Sequence, residues 1–167
     1  MNKAELVARL GLEPHREGGY FRRTFVADHR PPIDTGVGER YLLSSIYYLL
    51  TDDAPVGHWH LNHSDILHCW QLGSALDYFV IRPDGHLETC TLGSDLAAGQ
   101  QLQLMVTGGS WKASRLRGGE YGLISEAVAP GFVYEDMVMG ECERLLDLFP
   151  QHEFLIREFS LPATNTR

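Results

Sequence analysis

Residues 58–68 read HWHLNHSDILH and hold four of the eight histidines of the chain. In a β-strand, side chains two positions apart point to the same face, so His58 and His60 are predicted to share one face. A turn directly after them would return the chain as an antiparallel strand that carries Asp65 or His68 back to the same place. The stretch therefore predicts a hairpin with converging polar side chains, as a metal ion or an anionic ligand would require.

The rest of the chain alternates short apolar runs with turn residues, at the spacing of roughly 8 to 12 residues that is typical of sandwiches and small barrels. The sequence RPDGH at 82–86 predicts a hairpin turn, because proline suits the first central position and Gly85 can adopt a positive φ. The predicted fold class is all-β. The further predicted strands cover residues 41–51, 65–72, 75–82, 87–92, 102–107, 110–117 and 121–129.

Other segments are predicted to lie outside the strands. Asn2 can cap a short helix that ends before Gly11. Residues 28–39 contain two prolines and two glycines and are predicted to form a loop. Leucine and phenylalanine side chains among charges in residues 141–149 and 151–159 predict one or two C-terminal helices.

Length, charge and cysteine content narrow the class of protein. The 167 residues suffice for one domain, and 22 acidic against 14 basic side chains give a net charge of −8, which disfavours a nucleic-acid partner. No signal-like apolar segment begins the chain, and the longest apolar run, 41–50, is about half the length of a spanning helix. We therefore expect a cytoplasmic protein without a membrane span. Three widely separated cysteines predict neither a disulfide framework nor a thiolate zinc site.

The order and spacing of several motifs resemble the cupin superfamily, and more specifically a group of small single-domain cupins. The resemblance covers roughly residues 5–150 and implies a double-stranded β-helix, the conical jelly-roll barrel, with a pocket inside it. It also implies a homodimer in which an amino-terminal strand joins the sheet of the partner. The motifs are PHREGGYFR at 14–22, SIYYLL at 45–50, HWH at 58–60 followed by the glycine at 73, GSWKA at 109–113 and VAPGF at 128–132.

On this resemblance, residues 1–167 are predicted to form a single cupin domain. Its N-terminal helix and dimerisation strand would lie within 1–40, and its barrel core within 41–134. A C-terminal segment would follow at 135–167.

Two departures from the cupin pattern bear on function. The first cupin motif has a metal-binding Glu after H-x-H, whereas this chain has Asp65 and Ile66 around that position. The last ligand of the second motif is a His, and here that position holds Lys112. A lysine ammonium does not ligate a metal under ordinary conditions, and its charge opposes a nearby divalent cation.

Two interpretations of the site follow. If one divalent metal binds, His58, His60 and either Asp65 or His68 would hold it, and zinc, iron, nickel or manganese would suit such ligands. If none binds, His58, His60 and Lys112 form a positive cluster suited to a small anionic or polyhydroxylated metabolite. A histidine would then act as general base while Lys112 stabilises negative charge, the logic of metal-free sugar epimerases in the same superfamily.

Further side chains are predicted to contact the ligand. The predicted ligand-contacting residues are Glu17, Trp59, His68, Tyr78 and Trp111.

Three functions are compatible with these residues. The first is a small-molecule-binding cupin that acts as an epimerase or isomerase by proton transfer. The second is a non-catalytic binding or sensing protein, and the third is a metal-dependent oxygenase or isomerase.

Overall fold

Two antiparallel β-sheets dominate the computed structural model, which describes residues 1–162. Strands are numbered in chain order. The larger sheet has six strands in the spatial order β1 (Glu13–Pro14), β2 (Tyr20–Val26), β5 (Ser44–Thr51), β12 (Tyr121–Ala129), β7 (Asp65–Gly73) and β10 (Gln103–Val106). The smaller sheet has five, in the order β13 (Met137–Met139), β6 (Val56–Asn62), β11 (Trp111–Leu116), β8 (Leu76–Ile81) and β9 (Leu87–Leu92).

The remaining elements include one small hairpin and three α-helices. The hairpin pairs two short strands, β3 (Ile33–Asp34) and β4 (Glu39–Arg40). The helices are α1 (Lys3–Leu10), α2 (Cys142–Leu148) and α3 (Glu153–Phe159). No helix within residues 1–162 is long and apolar enough to cross a membrane.

The two sheets pack face to face, and one end of the space between them is filled by apolar side chains from both. Burial of this apolar surface is the main driving force for closing the barrel. The predicted all-β barrel is confirmed. The buried residues of this inner cluster are Tyr48, Leu50, Leu76, Tyr78, Leu92, Leu116 and Ile124.

The helices cover the outer faces of the barrel. On the smaller sheet, α2 and α3 pack their buried side chains Leu145, Ile156 and Phe159 against Trp59 and Trp111. On the larger sheet, α1 covers a second cluster. Because the smaller sheet is thus buried on both faces, outward-facing aromatic side chains of β6 and β11 belong to the core. The cluster under α1 contains Leu6, Leu12, Leu49 and Leu123.

Most local predictions are confirmed. The Asn2 side chain accepts a hydrogen bond from the Glu5 backbone in a complete capping box, and Gly11 ends α1 at φ 60°. Residues 82–86 form the turn between β8 and β9, with Gly85 at φ 84°. The prediction of a loop over 28–39 was wrong in part, because β3 and β4 form a hairpin there. The predicted C-terminal segment is described only to residue 162, so its last five residues lie outside the described part.

Two phenylalanines of α3 provide a matched test of the helix-sheet contact. Phe159 is fully buried, whereas Phe154 is 77% exposed. We expect Phe159→Ala to lower the free energy of unfolding by about 3–5 kcal/mol, and Phe154→Ala to change it by less than about 0.5 kcal/mol. Urea denaturation followed by tryptophan fluorescence measures both. Equal effects would contradict the packing of α3 on the smaller sheet.

Candidate functional site

A cavity opens at the end of the barrel interior away from the apolar inner cluster. Its volume is about 30 Å³, and it adjoins an outer groove of about 260 Å³ with which it shares Arg23 and Phe132. The wall combines apolar side chains with buried ionisable ones, a composition that is typical of sites for small molecules. The lining residues are His15, Glu17, Phe21, Arg23, Ile46, His60, Asn62, Ile66, Lys112, Glu126, Val128, Phe132 and Met137.

A β-bulge in β6 decides which of its side chains enter the cavity. His60 lies opposite Lys112 of β11, and Gly57 lies opposite Ser114. Between these two pairs β6 has two residues and β11 has one, so β6 contains one extra residue. An extra residue on one strand reverses the alternation of side chains beyond it. His60 and Asn62 therefore line the cavity, and His58 does not.

The bulge overturns the prediction that His58 and His60 aim at one point. His58 Nδ1 donates a hydrogen bond to the carbonyl oxygen of Phe159, 3.1 Å away at the end of α3. The spacing rule fails here because it holds only for an unbroken strand pairing. His58 thus joins the barrel to its C-terminal helix.

The two predicted stacking tryptophans also lie outside the cavity. Trp59 is fully buried, and its indole nitrogen donates to the carbonyl oxygen of Leu155 at 3.1 Å. Trp111 lies in the same cluster beneath α2 and α3. Both side chains pack the sheet against the helices and do not face the cavity.

Glu17 enters the cavity from the turn between β1 and β2. Gly18 has φ 106° and lies so close to the carbonyl of Val56 that no Cβ would fit between them. The close approach lets the Glu17 carbonyl accept a hydrogen bond of 2.6 Å from the His58 amide. The Gly-Gly turn therefore fixes the Glu17 side chain over β6.

Glu17 and His60 form a buried charge pair in the cavity. Glu17 Oε2 lies 2.9 Å from His60 Nε2 and 3.6 Å from His15 Nδ1, with both carboxylate and imidazoles shielded from solvent. Burial alone would raise the pKa of Glu17, but His60, His15 and Lys112 outweigh it and hold that pKa far below its usual value. Glu17 is therefore ionised at neutral pH.

The other nitrogen of His60 is fixed by the backbone. Its Nδ1 donates to the carbonyl oxygen of His58 at 2.8 Å. Despite the short contact with Glu17, Nε2 has no well-aligned hydrogen-bond partner among residues 1–162. Nε2 is thus the end of the imidazole that faces Glu17 and borders the cavity.

Lys112, His68 and Glu126 form a second buried cluster. Lys112 Nζ lies 2.8 Å from His68 Nε2 and 3.9 Å from Glu126 Oε2, and His68 Nδ1 donates to the Leu104 carbonyl at 3.3 Å. Burial, reinforced by the Lys112 charge, holds the pKa of His68 well below its usual value. His68 is therefore neutral, and its Nε2 accepts a hydrogen bond from Lys112.

Glu126 is a site residue that the sequence analysis missed. It projects from β12, opposite His68 of β7 and Ile46 of β5, and only 6% of it is exposed. Burial raises its pKa above the usual value, and Lys112 offsets this effect only in part. The sequence did hold an indication of its role. Glu126 is a single charged residue at an inward position of β12, where the neighbouring inward residues are Ile124 and Val128.

Two further predicted site residues lie beside the cavity. Tyr78 belongs to the apolar inner cluster and contacts the His68 ring edge-on at 5.1 Å. Asp65 is exposed, and its Oδ1 accepts a hydrogen bond from the Gly108 amide at 2.8 Å. Tyr78 therefore supports the floor of the site, and Asp65 joins the start of β7 to the loop between β10 and β11.

The donor set does not fit a divalent metal. No three His, Cys, Asp or Glu side chains in residues 1–162 converge as the ligands of one ion would. Of the predicted ligands, His58 and Asp65 point elsewhere, and the lone pair of His68 Nε2 is occupied by Lys112. The Lys112 charge would in addition repel a cation there.

The model of one cupin group, described as "Cupin superfamily (DUF985)", matches residues 4–140. The chain belongs to this family. An uncharacterized protein of Saccharomyces cerevisiae is 37% identical over 145 residues, which cover 79% of this chain and 72% of that protein.

Two solved structures match nearly the whole chain. A hypothetical protein from Leishmania major has a TM-score of 0.89 at 29% identity and covers 97% of this chain and 100% of its own. A protein from Shewanella oneidensis has a TM-score of 0.88 at 33% identity, with 97% and 99% covered. These matches confirm the predicted cupin barrel with its N-terminal and C-terminal helices.

More distant cupins share the fold alone. A dTDP sugar isomerase from Desulfovibrio desulfuricans has a TM-score of 0.53 at 12% identity, and covers 72% of this chain and 83% of its own. An oxalate decarboxylase variant from Bacillus subtilis has a TM-score of 0.56 at 11% identity, and covers 87% and 36%.

The charge of Glu17 should make its contribution to stability depend on pH. Because its pKa is lowered in the folded state, the ionised carboxylate stabilises the fold above its ordinary pKa of 4.5, and this stabilisation is lost as the pH falls through the lowered value. We expect Glu17→Gln to lower the free energy of unfolding by about 3 kcal/mol at neutral pH, with a smaller difference below that range.

Urea titrations at a series of pH values measure this difference. Glu13→Gln is the matched control, because Glu13 is exposed on the neighbouring β1. A Glu17→Gln effect that grows on acidification would contradict the assigned charge pair.

Proposed function

We propose that this cupin binds a small polar or anionic metabolite in its barrel cavity and transfers a proton on it, as an isomerase or epimerase. One observation carries the proposal. Two buried carboxyl groups line the same cavity, and their pKa values are displaced in opposite directions, downward at Glu17 and upward at Glu126. Opposite displacement of paired ionisable groups is typical of sites that use one group as base and another as acid.

The Glu17–His60 pair supplies the base. His60 Nε2 borders the cavity, and Nδ1 is held by the carbonyl of His58. The ionised Glu17 carboxylate lines the cavity and is the member of this pair that accepts a proton, while His60 Nε2 at 2.9 Å orients it. His15 contributes no second positive charge, since burial lowers its pKa in spite of the neighbouring Glu17.

The Lys112–Glu126 pair supplies charge stabilisation and the acid. The Lys112 ammonium is buried, and His68 holds it by accepting one of its hydrogen bonds. A fixed ammonium in a site with little water strongly stabilises an oxyanion. Glu126 retains its proton to higher pH than an ordinary carboxyl group and can therefore donate it.

The proposed reaction begins with a carbon acid next to a carbonyl group. Glu17 takes the proton, the C–H bond breaks, and its electron pair moves to the carbonyl oxygen, where Lys112 stabilises the enolate. Glu126 then donates a proton to carbon as the carbonyl re-forms. The net result is the movement of one proton, and exchange with water returns Glu17 and Glu126 to their starting states.

Exchange of carbon-bound hydrogen in D2O tests this proposal. With 2-oxobutyrate and hydroxyacetone as probes, we expect the protein to accelerate deuterium incorporation next to the carbonyl, measured by proton NMR. Glu126→Gln and Lys112→Met should each slow it by about 100-fold or more. His58→Gln is the control and should leave the rate unchanged, because His58 faces α3. Binding without exchange would instead favour the non-catalytic alternative.

The proposal includes a homodimer. Strand β2 pairs with β5 along one edge, but β1 covers its other edge only at Tyr20 and Phe21. The open edge leaves unpaired backbone donors and acceptors that a second copy can cover. We expect light scattering on a size-exclusion column to give twice the chain mass of 18.8 kDa at micromolar concentration. A stable monomer would contradict this expectation.

A further inference from the structure

The cavity by itself is too small to enclose a metabolite. Its volume is about 30 Å³, whereas sites that enclose small molecules measure roughly 300–1,000 Å³. The adjoining groove adds about 260 Å³, and Arg23 and Phe132 line both the cavity and the groove. A substrate whose reacting carbon lies in the cavity therefore extends into the groove through the passage that Arg23 and Phe132 line.

Arg23 lies at the same depth in the barrel as Glu126. On β2 it pairs with Ile46 of β5, and Ile46 also pairs with Glu126 of β12. All three side chains project from the inner face of the larger sheet and line the cavity. Because neighbouring strands lie about 4.8 Å apart, the backbones at Arg23 and Glu126 are separated by about 10 Å. A short ligand that lies over Ile46 can therefore contact both side chains.

The charge of Arg23 is available to a ligand in the passage. Arg23 is exposed, and it forms no ion pair with an acidic side chain within residues 1–162. The other arginine of the groove, Arg40, is neutralised by two hydrogen bonds to Asp136, of 2.7 and 2.8 Å. A guanidinium offers two parallel N–H groups that match the two oxygens of a carboxylate. Arg23 therefore provides a position for an acid group where the cavity meets the groove.

The proposed proton transfer determines which part of the substrate lies inside. It needs a carbonyl oxygen near Lys112 and an acidic C–H group on the neighbouring carbon near Glu17. The small cavity admits these few atoms only, so the acid group in the passage must be close to the carbonyl carbon. In a 2-oxo acid the carboxylate is bonded to the carbonyl carbon, and the acidic C–H group lies on the other side of that carbon. Such a molecule directs its carboxylate to the passage and its C–H group to the interior.

We propose that the substrate is a short 2-oxo acid, whose carboxylate binds Arg23 in the passage while its carbonyl and the neighbouring C–H group lie in the cavity. This inference rests on the proposed function, because it names the substrate class of the same site. Arg23 is then a residue that determines specificity, and the sequence analysis did not single it out.

Three carbonyl compounds test the class of substrate. They are 2-oxobutyrate, 1-hydroxy-2-butanone, in which a neutral CH2OH group replaces the carboxylate, and 4-oxopentanoate, in which the acid lies two carbons further away. Proton NMR in D2O measures their exchange next to the carbonyl, each relative to its uncatalysed rate. We expect kcat/KM on this scale to be about tenfold or more higher for 2-oxobutyrate than for the other two. Equal or faster exchange of either analogue would overturn the inference.

Paired arginine variants test the contact with the acid group. Arg23→Gln should raise the KM for 2-oxobutyrate about tenfold and remove its advantage over 1-hydroxy-2-butanone. Arg22→Gln is the matched control, because Arg22 is the adjacent exposed residue and lies opposite Tyr47 on the outer face. Substitutions of exposed side chains are expected to leave the fold intact. Equal effects of the two variants on 2-oxobutyrate would overturn the role of Arg23.

Amide chemical-shift titrations with 2-oxobutyrate distinguish a failure of this inference from a failure of the proposed function. Binding that Arg23→Gln weakens, without exchange of any probe, would support the acid position and contradict the proton transfer. Exchange of 2-oxobutyrate that Arg23→Gln leaves unchanged would support the proton transfer and overturn the acid position. Neither binding nor exchange with any of the three compounds would overturn both.

Discussion

An ionised carboxylate inside a barrel must be compensated by charge, and Glu17 imposes this constraint on the whole site. Removing such a group from water is costly unless opposite charges and donors surround it. Here the compensating charge comes from His60 and the more distant Lys112, and His15 Nδ1 lies 3.6 Å from the carboxylate. The Gly-Gly turn, the inward orientation of His60 and the buried ammonium therefore form one electrostatic unit.

The bulge in β6 gives a single strand two separate functions. Beyond the extra residue, His60 and Asn62 face the cavity, while Trp59 and Leu61 face the C-terminal helices. His58, at the bulge itself, ties the end of α3 to the strand. The rigid contact with the helices thus supports the site from behind, in keeping with the rule that precise sites need locked supporting residues.

Regular periodicity in the sequence was enough to predict most of the fold. The alternation of apolar runs and turns predicted the strands, and RPDGH predicted the β8–β9 turn. The cupin-like motifs predicted the barrel. The site was predicted only in part, with Glu17, His60 and Lys112 in the cavity. Trp59 and Trp111 were predicted to face the cavity but face the helices. Because the smaller sheet is covered on both faces, a buried tryptophan can lie on either of them.

The remaining site residues depend on long-range structure. His58 does not face the cavity because β6 contains an extra residue in its pairing with β11, and composition does not reveal such a residue. Glu126 and Arg23 line the cavity because of the order of strands in the larger sheet, where β12 and β2 both flank β5. A lone Glu or Arg in an amphipathic strand gives no indication of its partners.

The residues that line the cavity come from distant parts of the chain, and this affects when the site can form during synthesis. Glu17 leaves the ribosome early, whereas His60 follows after further strands and Glu126 only when most of the barrel has been translated. Until β6 has been translated the Glu17 carboxylate lacks His60, its nearest partner, and stays hydrated. Assembly of the site must therefore follow closure of the barrel, late in synthesis and at the slow rate expected for contacts distant in sequence.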